Sequence, residues 1–286
     1  STTAALSWFP NLPGTYVLRY SATNAGGTDT DDMTIVVIQE PATPGEILNM
    51  GVGSGKNHFS VDIARPTERE LIECEQIEAG YEEPPYFTGT SDYTKCAFWT
   101  SVDAATTSGS SYPRSELREV EPGGSVNMAW SPHDGGTHWI RARSAATHLM
   151  AVKPTLILGQ QHSGDDAVIQ IRTQLRSGAT HLEAVLNGVT GSPITLANPY
   201  VVNTEFDWML EILPPLNGQT AKGRIYYQSW LAPVHTWNVT EMPVTSPGHY
   251  YKAGNYLNSN TSTENGNDDE FGSSTLRNLQ HWHTGW

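Results

Sequence analysis

Along this chain apolar and polar positions alternate with a period of two far more often than they recur at three or four, the signature of successive β-strands. Over 169–176, Ile169, Ile171, Thr173 and Leu175 fall on one face and Gln170, Arg172, Gln174 and Arg176 on the other. Such a strand is half buried, with a polar and partly cationic outer side. Phe206, Trp208, Leu210 and Ile212 alternate against Asp207, Met209 and Glu211 in the same way. The pattern continues from about Ile47 to the end, with a short helix expected over Thr67–Leu71. Strands in this number predict an all-β domain of two stacked antiparallel sheets, a β-sandwich of jelly-roll type whose concave sheet makes a groove for a linear polymer. Gly 26 and Pro 18 supply turns, and Trp 9 and Tyr 12 suit both strands and the stacking of sugar faces.

The first 40 residues read separately. Thr15–Ala22 alternates, Asn24-Ala25-Gly26-Gly27 turns, and Asp32–Gln39 ends in an apolar run. This segment resembles the last strands of bacterial immunoglobulin-like or PKD modules. The Pro-containing stretch from Glu40 to Gly45 favours extended geometry. The expected organisation is therefore a partial module at 1–40, a linker at 41–46 and the jelly roll at 47–286.

Charge narrows the partners. Lys+Arg 16 against Asp+Glu 30 gives a net charge of −14, which argues against nucleic acid. No apolar run reaches the ~20 residues that cross a bilayer, and no signal peptide is recognised, so the chain reads as mature or trimmed, with no membrane partner. Two cysteines, Cys74 and Cys96, make a poor zinc site and are compatible with either a disulfide or two buried thiols. No cofactor and no metal is expected. The acidic stretch Glu264–Glu270 lacks a fixed calcium-loop pattern and reads as solvated. A monomer is expected.

Against the acidic balance, three segments gather chemistry. In Arg114-Ser115-Glu116-Leu117-Arg118 alternation aims Arg114, Glu116 and Arg118 at one surface, two guanidiniums flanking a carboxylate. Gln160 and His162 share a face at the end of an apolar stretch. In the stretch from Tyr250 to Tyr256, Tyr250, Lys252 and Tyr256 share another, with Gly254 leaving a gap. Taken singly, each has a plain structural reading: a surface salt bridge, a hydrogen-bonded histidine, a wall tyrosine.

Together, Arg114–Arg118, Gln160-Gln161-His162 and Tyr250–Tyr256 resemble, in order and spacing, the three signature blocks of alginate lyases of polysaccharide lyase family 7. The resemblance covers about 47–286. It implies a jelly-roll enzyme that cleaves a polyuronate, alginate foremost, by β-elimination without a required metal, and a secreted location. Two positions depart from the family pattern. Gln161 stands where Ile or Val is usual, and Asn258 where Gln is usual. The choice at the first is associated with guluronate or mannuronate preference, so the polymer is left open, with glucuronan as an alternative.

The chemistry explains the residue types. Removing the C5 proton of a uronate places a second negative charge on its carboxyl group, and Arg114, Arg118 and Gln160 are suited to donate to it. His162, with an ordinary pKa near 6.5, is the candidate base, and Tyr256 the candidate acid for the departing O4. For a mannuronate residue, whose C5 proton lies on the side of the leaving group, Tyr256 serves both tasks. Glu116 would hold the two guanidiniums, and Lys252, Tyr250, Gln161 and Arg172 are expected to contact substrate.

Two rivals remain. Glu205, Asp207 and Glu211 resemble the carboxylate set of a laminarinase-like jelly-roll hydrolase, although one position out of step. A non-catalytic carbohydrate-binding jelly roll is the other, which the joint presence of His162, Tyr256 and both arginines disfavours. The loops Ser101–Tyr112 and Asn187–Asn198 are candidate lids or plain connections.

Overall fold

In the computed structural model, residues 14–37, 42–124, 126–164, 166–187, 192–214, 222–238 and 248–284 are described, and the chain divides into two units, Ser1–Pro41 and Ala42–Trp286. In the first, β1 (Gly14–Asn24) and β2 (Gly27–Val37) form an antiparallel hairpin in register from Gly14 opposite Val37 to Asn24 opposite Gly27. The turn falls at Ala25-Gly26, inside the predicted one, and Arg19 pairs with Asp32 across the strands at 2.7 Å. The end of the second predicted strand, Ile38–Gln39, lies outside the described residues.

The second unit is the predicted sandwich. One sheet has eight strands in the order β12 (Ile194–Ala197), β11 (Ala179–Leu186), β10 (Asp166–Arg176), β9 (Leu156–Ser163), β16 (His249–Leu257), β7 (Arg114–Glu119), β3 (Phe59–Ala64), β4 (Arg69–Ile72). The other has seven, in the order β15 (His235–Asn238), β14 (Lys222–Tyr227), β13 (Phe206–Leu213), β8 (His138–His148), β17 (Phe271–His283), β6 (Cys96–Ser101), β5 (Phe87–Gly89). Neighbouring strands pair antiparallel. Strands adjacent in space are far apart in sequence, so β7, β9 and β16 lie side by side at the middle of the eight-stranded sheet.

The alternation read from the sequence is the burial pattern. Ile169, Ile171, Leu182 and Leu117 from one sheet and Phe206, Trp208, Leu210, Ile212, Ile140 and Leu276 from the other are buried in a shared core. Gly159 lets β9 approach the opposite sheet: a Cβ there would meet the Trp208 ring at 2.5 Å. Registers with β10 and β16 shift between Ile157 and Gly159. This local irregularity leaves Ile157, not Leu156, opposite Tyr256.

Two expectations change, and the open alternative at the cysteines is resolved. Thr67–Leu71 is not helical: the Arg65 amide donates to Glu68 O at 2.8 Å, closing a tight turn, and Arg69–Ile72 returns as edge strand β4 beside β3. The linker of 41–46 is not extended throughout, because Thr43 and Glu46 cap each other reciprocally and start α1 (Pro44–Ile47). A second short helix, α2 (Cys74–Glu78), begins at Cys74, and both cysteines are buried free thiols.

Candidate active site

Strand registry brings the three sequence blocks together. Lys252 lies opposite both Arg118 of β7 and Gln160 of β9, Tyr250 opposite His162, Gly254 opposite Glu116, and Tyr256 opposite Arg114. All point away from the apolar core, so the central face of the eight-stranded sheet carries a dense polar patch.

Glu116 is its pivot. Its side chain is fully buried, with Lys252 Nζ and Gln160 Nε2 in contact with its two oxygens and Arg114 Nη1 at 3.7 Å. A buried carboxylate is tolerable only when paired and hydrogen-bonded in this way. Gln160 passes the network on, since its Oε1 lies 3.1 Å from His162 Nε2 and accepts from Gln170 Nε2 at 3.3 Å. Each arginine covers a tyrosine: Arg114 Cζ is 4.2 Å from the Tyr256 ring centre and Arg118 Cζ is 4.3 Å from that of Tyr250. Such stacking holds a guanidinium by its face and leaves its edge N–H groups for a ligand. Consistent with that, Arg114 Nε and Arg118 Nε are buried donors without a hydrogen-bond partner.

Burial and the charges of Lys252, Arg114 and Arg118 drive His162 well below its ordinary pKa, so it is neutral around pH 7. Lys252 is pushed down to about 8, burial outweighing the attraction of Glu116. Tyr256 Oη lies 3.0 Å from Ser110 Oγ. Ser110 belongs to the loop anticipated as a lid, which therefore does reach the patch. Its Oγ is fixed by the Tyr112 amide and carbonyl.

Not every expected residue joins. Gln161 is on the opposite face, fully buried between the sheets, with Nε2 at 2.9 Å from His249 Nδ1; the period of two that aims Gln160 and His162 outward turns Gln161 inward. Arg172 has the expected face but is engaged by Glu183 at 3.0 Å, a partner on the next strand that its own segment does not reveal. Tyr250, expected to contact substrate, stacks on His162, ring centres 5.2 Å apart, and donates to Gly164 O at 3.0 Å. The second loop is no lid over its whole length, since Ile194–Ala197 forms edge strand β12. Ser110 and Gln170 were not anticipated. Ser110 carried no signal beyond the loop's composition, whereas Gln170 had the strand alternation.

The hydrolase reading loses its carboxylates. Arg277 binds Glu205 through two bonds of 3.0 and 2.6 Å, Arg143 binds Asp207 at 2.8 and 2.5 Å, and the Tyr226 hydroxyl donates to Glu211 at 2.7 Å. These groups lie on or beside β13 of the other sheet, each facing an arginine, with Arg224 3.6 Å from Glu211. Within the acidic stretch, Glu264 is buried and accepts from the Val152 and Lys153 amides at 2.8 and 3.0 Å.

A family model described as alginate lyase matches residues 57–283. Among solved structures, the alginate lyase from Corynebacterium sp. is similar at 29% identity and a TM-score of 0.71, over 86% of this chain and 100% of that one. The alginate lyase AlgAT5 from polysaccharide lyase family 7 is also 29% identical, with a TM-score of 0.68, over 85% of this chain and 99% of that one. A complex of the family 7 alginate lyase A1-II' with substrate (GGMG) shares the fold at 20% identity and a TM-score of 0.63, over 87% of this chain and 99% of that one. No curated protein sequence matches the chain at a significant level.

Proposed function

The chain belongs to the family 7 alginate lyases, and from that premise we propose that the patch around Glu116 is the site where it cleaves a polyuronate by β-elimination. The observation that carries this reading is the convergence of Arg114, Arg118, Gln160, His162, Lys252 and Tyr256 on three adjacent strands around one buried carboxylate.

In this reading a uronate carboxylate in subsite +1 receives N–H donors from Arg114 or Arg118 and from Gln160. The charge that appears there as the C5 proton leaves is met by donors already oriented, and such preorganisation contributes most of the rate. Electrons of the C5–H bond become the C4=C5 double bond, the C4–O4 bond breaks, and O4 leaves with a proton. Tyr256 supplies that proton, releasing its contact with Ser110 to do so. His162, neutral by burial, takes the C5 proton of a guluronate-type residue; for a mannuronate-type residue Tyr256 takes the proton and delivers it to O4. Lys252 neutralises substrate charge and Tyr250 walls the sugar. Arg172, tied to Glu183, contributes to the potential of the neighbouring strand.

The substrate is an anionic polysaccharide, with alginate first and glucuronan as the alternative. A long polymer as substrate fits a secreted enzyme, and a secreted monomer is part of the proposal. The β1–β2 hairpin is read as the end of an immunoglobulin- or PKD-like module, with 1–40 as a separate segment. The test is incubation with poly-mannuronate, poly-guluronate and glucuronan while following the ultraviolet absorbance of the unsaturated product. Absence of such absorbance on all three, with polymer still bound, would turn the assignment toward a binding module.

A further inference from the structure

Between the two sheets, on the side of β7 opposite the arginines, lies a second polar cluster that the elimination does not use. Glu119, the last residue of β7, is fully buried. Its Oε2 accepts from the Tyr251 amide at 2.8 Å and from Trp130 Nε1 at 3.3 Å. Its Oε1 faces two imidazole nitrogens, His283 Nε2 in direct contact and His281 Nε2 at 3.9 Å.

Hydrogen-bond partners orient both rings. Asn57 Nδ2 donates to Leu48 O and Leu279 O at 2.6 and 2.7 Å, so the Asn57 oxygen is the atom 3.1 Å from His281 Nδ1, and it can only accept. His281 therefore carries its proton on Nδ1 and presents a lone pair at Nε2. His138 Nε2 lies 3.0 Å from Asp134 Oδ1, a carboxylate oxygen that also accepts from the Gly136 amide at 2.7 Å, so it donates. The fully buried His138 in turn has its Nδ1 2.9 Å from His283 Nδ1, which holds the His283 ring in place.

Three potential ligand atoms, two imidazole nitrogens and one carboxylate oxygen, thus converge within 4.8 Å of one another. We propose that Glu119, His281 and His283 bind a divalent transition-metal ion of the Zn2+ class. Two nitrogens and one oxygen suit zinc and its neighbours rather than calcium or magnesium, which take oxygen ligands. Asn57 and the His138–Asp134 pair are the outer partners that orient the ligating rings. Zinc bonds of about 2.1 Å in a tetrahedron set ligand atoms roughly 3.4 Å apart, so His283 and Glu119 separate by about an ångström and His281 closes by about half an ångström. A cavity of about 570 Å³, lined by His58, Met128, Trp139, Trp282 and the two ligand histidines, provides a way in and room for water at the fourth position. The metal joins β7 of one sheet to β17 of the other.

The test uses the untagged full chain, stripped with a chelator and titrated with Zn2+ and Co2+. One equivalent retained through gel filtration, a visible Co2+ spectrum of nitrogen and oxygen ligation, and a rise of about 5 °C in Tm at a hundredfold excess over Kd are expected. His281→Gln and His283→Gln each weaken binding at least tenfold, whereas Tyr256→Phe, which alters the groove, keeps the equivalent. Unchanged stoichiometry in both histidine variants overturns the proposal. Should those variants fail to fold, zinc-edge anomalous scattering from crystals of the unaltered protein decides: a peak between the three ligands supports the site, and no peak there means that a proton alone joins His283 to Glu119.

Discussion

The ammonium of Lys252 rests against Glu116 Oε2 with 3% and 0% of the two side chains exposed. Desolvation outweighs that contact and lowers Lys252 to about 8. As pH rises through this value Lys252 loses its charge, while His162 is already neutral. Cleavage of an anionic polymer should show kcat/KM falling above about pH 8. The limb in kcat should lie higher, because a bound uronate favours the ammonium. In Lys252→Arg the limb should vanish; its persistence at the same pH would assign it elsewhere.

Replacing the Tyr256 hydroxyl removes the proposed donor to O4 but not the ring that Arg114 covers. Tyr256→Phe should lower turnover by about 10²–10⁴-fold, the range of general acid–base catalysis, with polymer Kd changed little. Product absorbance and calorimetric binding measure the two quantities. Near-normal turnover would remove Tyr256 from the mechanism.

His162 separates the two linkage types. Where it acts as base, His162→Asn should abolish cleavage, and where Tyr256 does both tasks part of the rate should survive. Guluronate blocks are therefore expected to lose far more activity than mannuronate blocks in parallel assays. Equal losses on both would make His162 a substrate-positioning group.

Gly159→Ala tests the close approach of the sheets. The added methyl would meet the Trp208 ring at 2.5 Å in a region without solvent. Overpacking of this kind costs about 1–3 kcal/mol. A lower urea midpoint at unchanged slope is the expected result; an unchanged midpoint would mean that the indole relaxes freely.

The sandwich and most of the site were legible because period-two alternation decides which side chains share a face, and residues such as Ile169 or Lys252 obey it locally. What escaped depended on pairing across long stretches of chain. The turn at Arg65–Glu68 makes an edge strand of a segment whose composition suited a helix. Arg172 is taken by Glu183, and Ser110 reaches Tyr256 from a loop with no pattern of its own. Glu119 meets His281 and His283 only after the two sheets stack, and the sole local hint was the His-x-His spacing at 281 and 283.

Gln161 has a consequence for redesign. Its amide is joined to His249 inside the sandwich, and Gln161 Oε1 and His249 Nε2 are both buried without partners. A change of linkage preference introduced at 161 must act indirectly, by tilting β9 and moving Gln160 and His162 on the far side. An apolar residue at 161 also strands the His249 ring, so the two positions form one unit of inheritance. A double-mutant cycle between them should show coupling, and a library that varies 161 alone will sample mostly destabilised proteins.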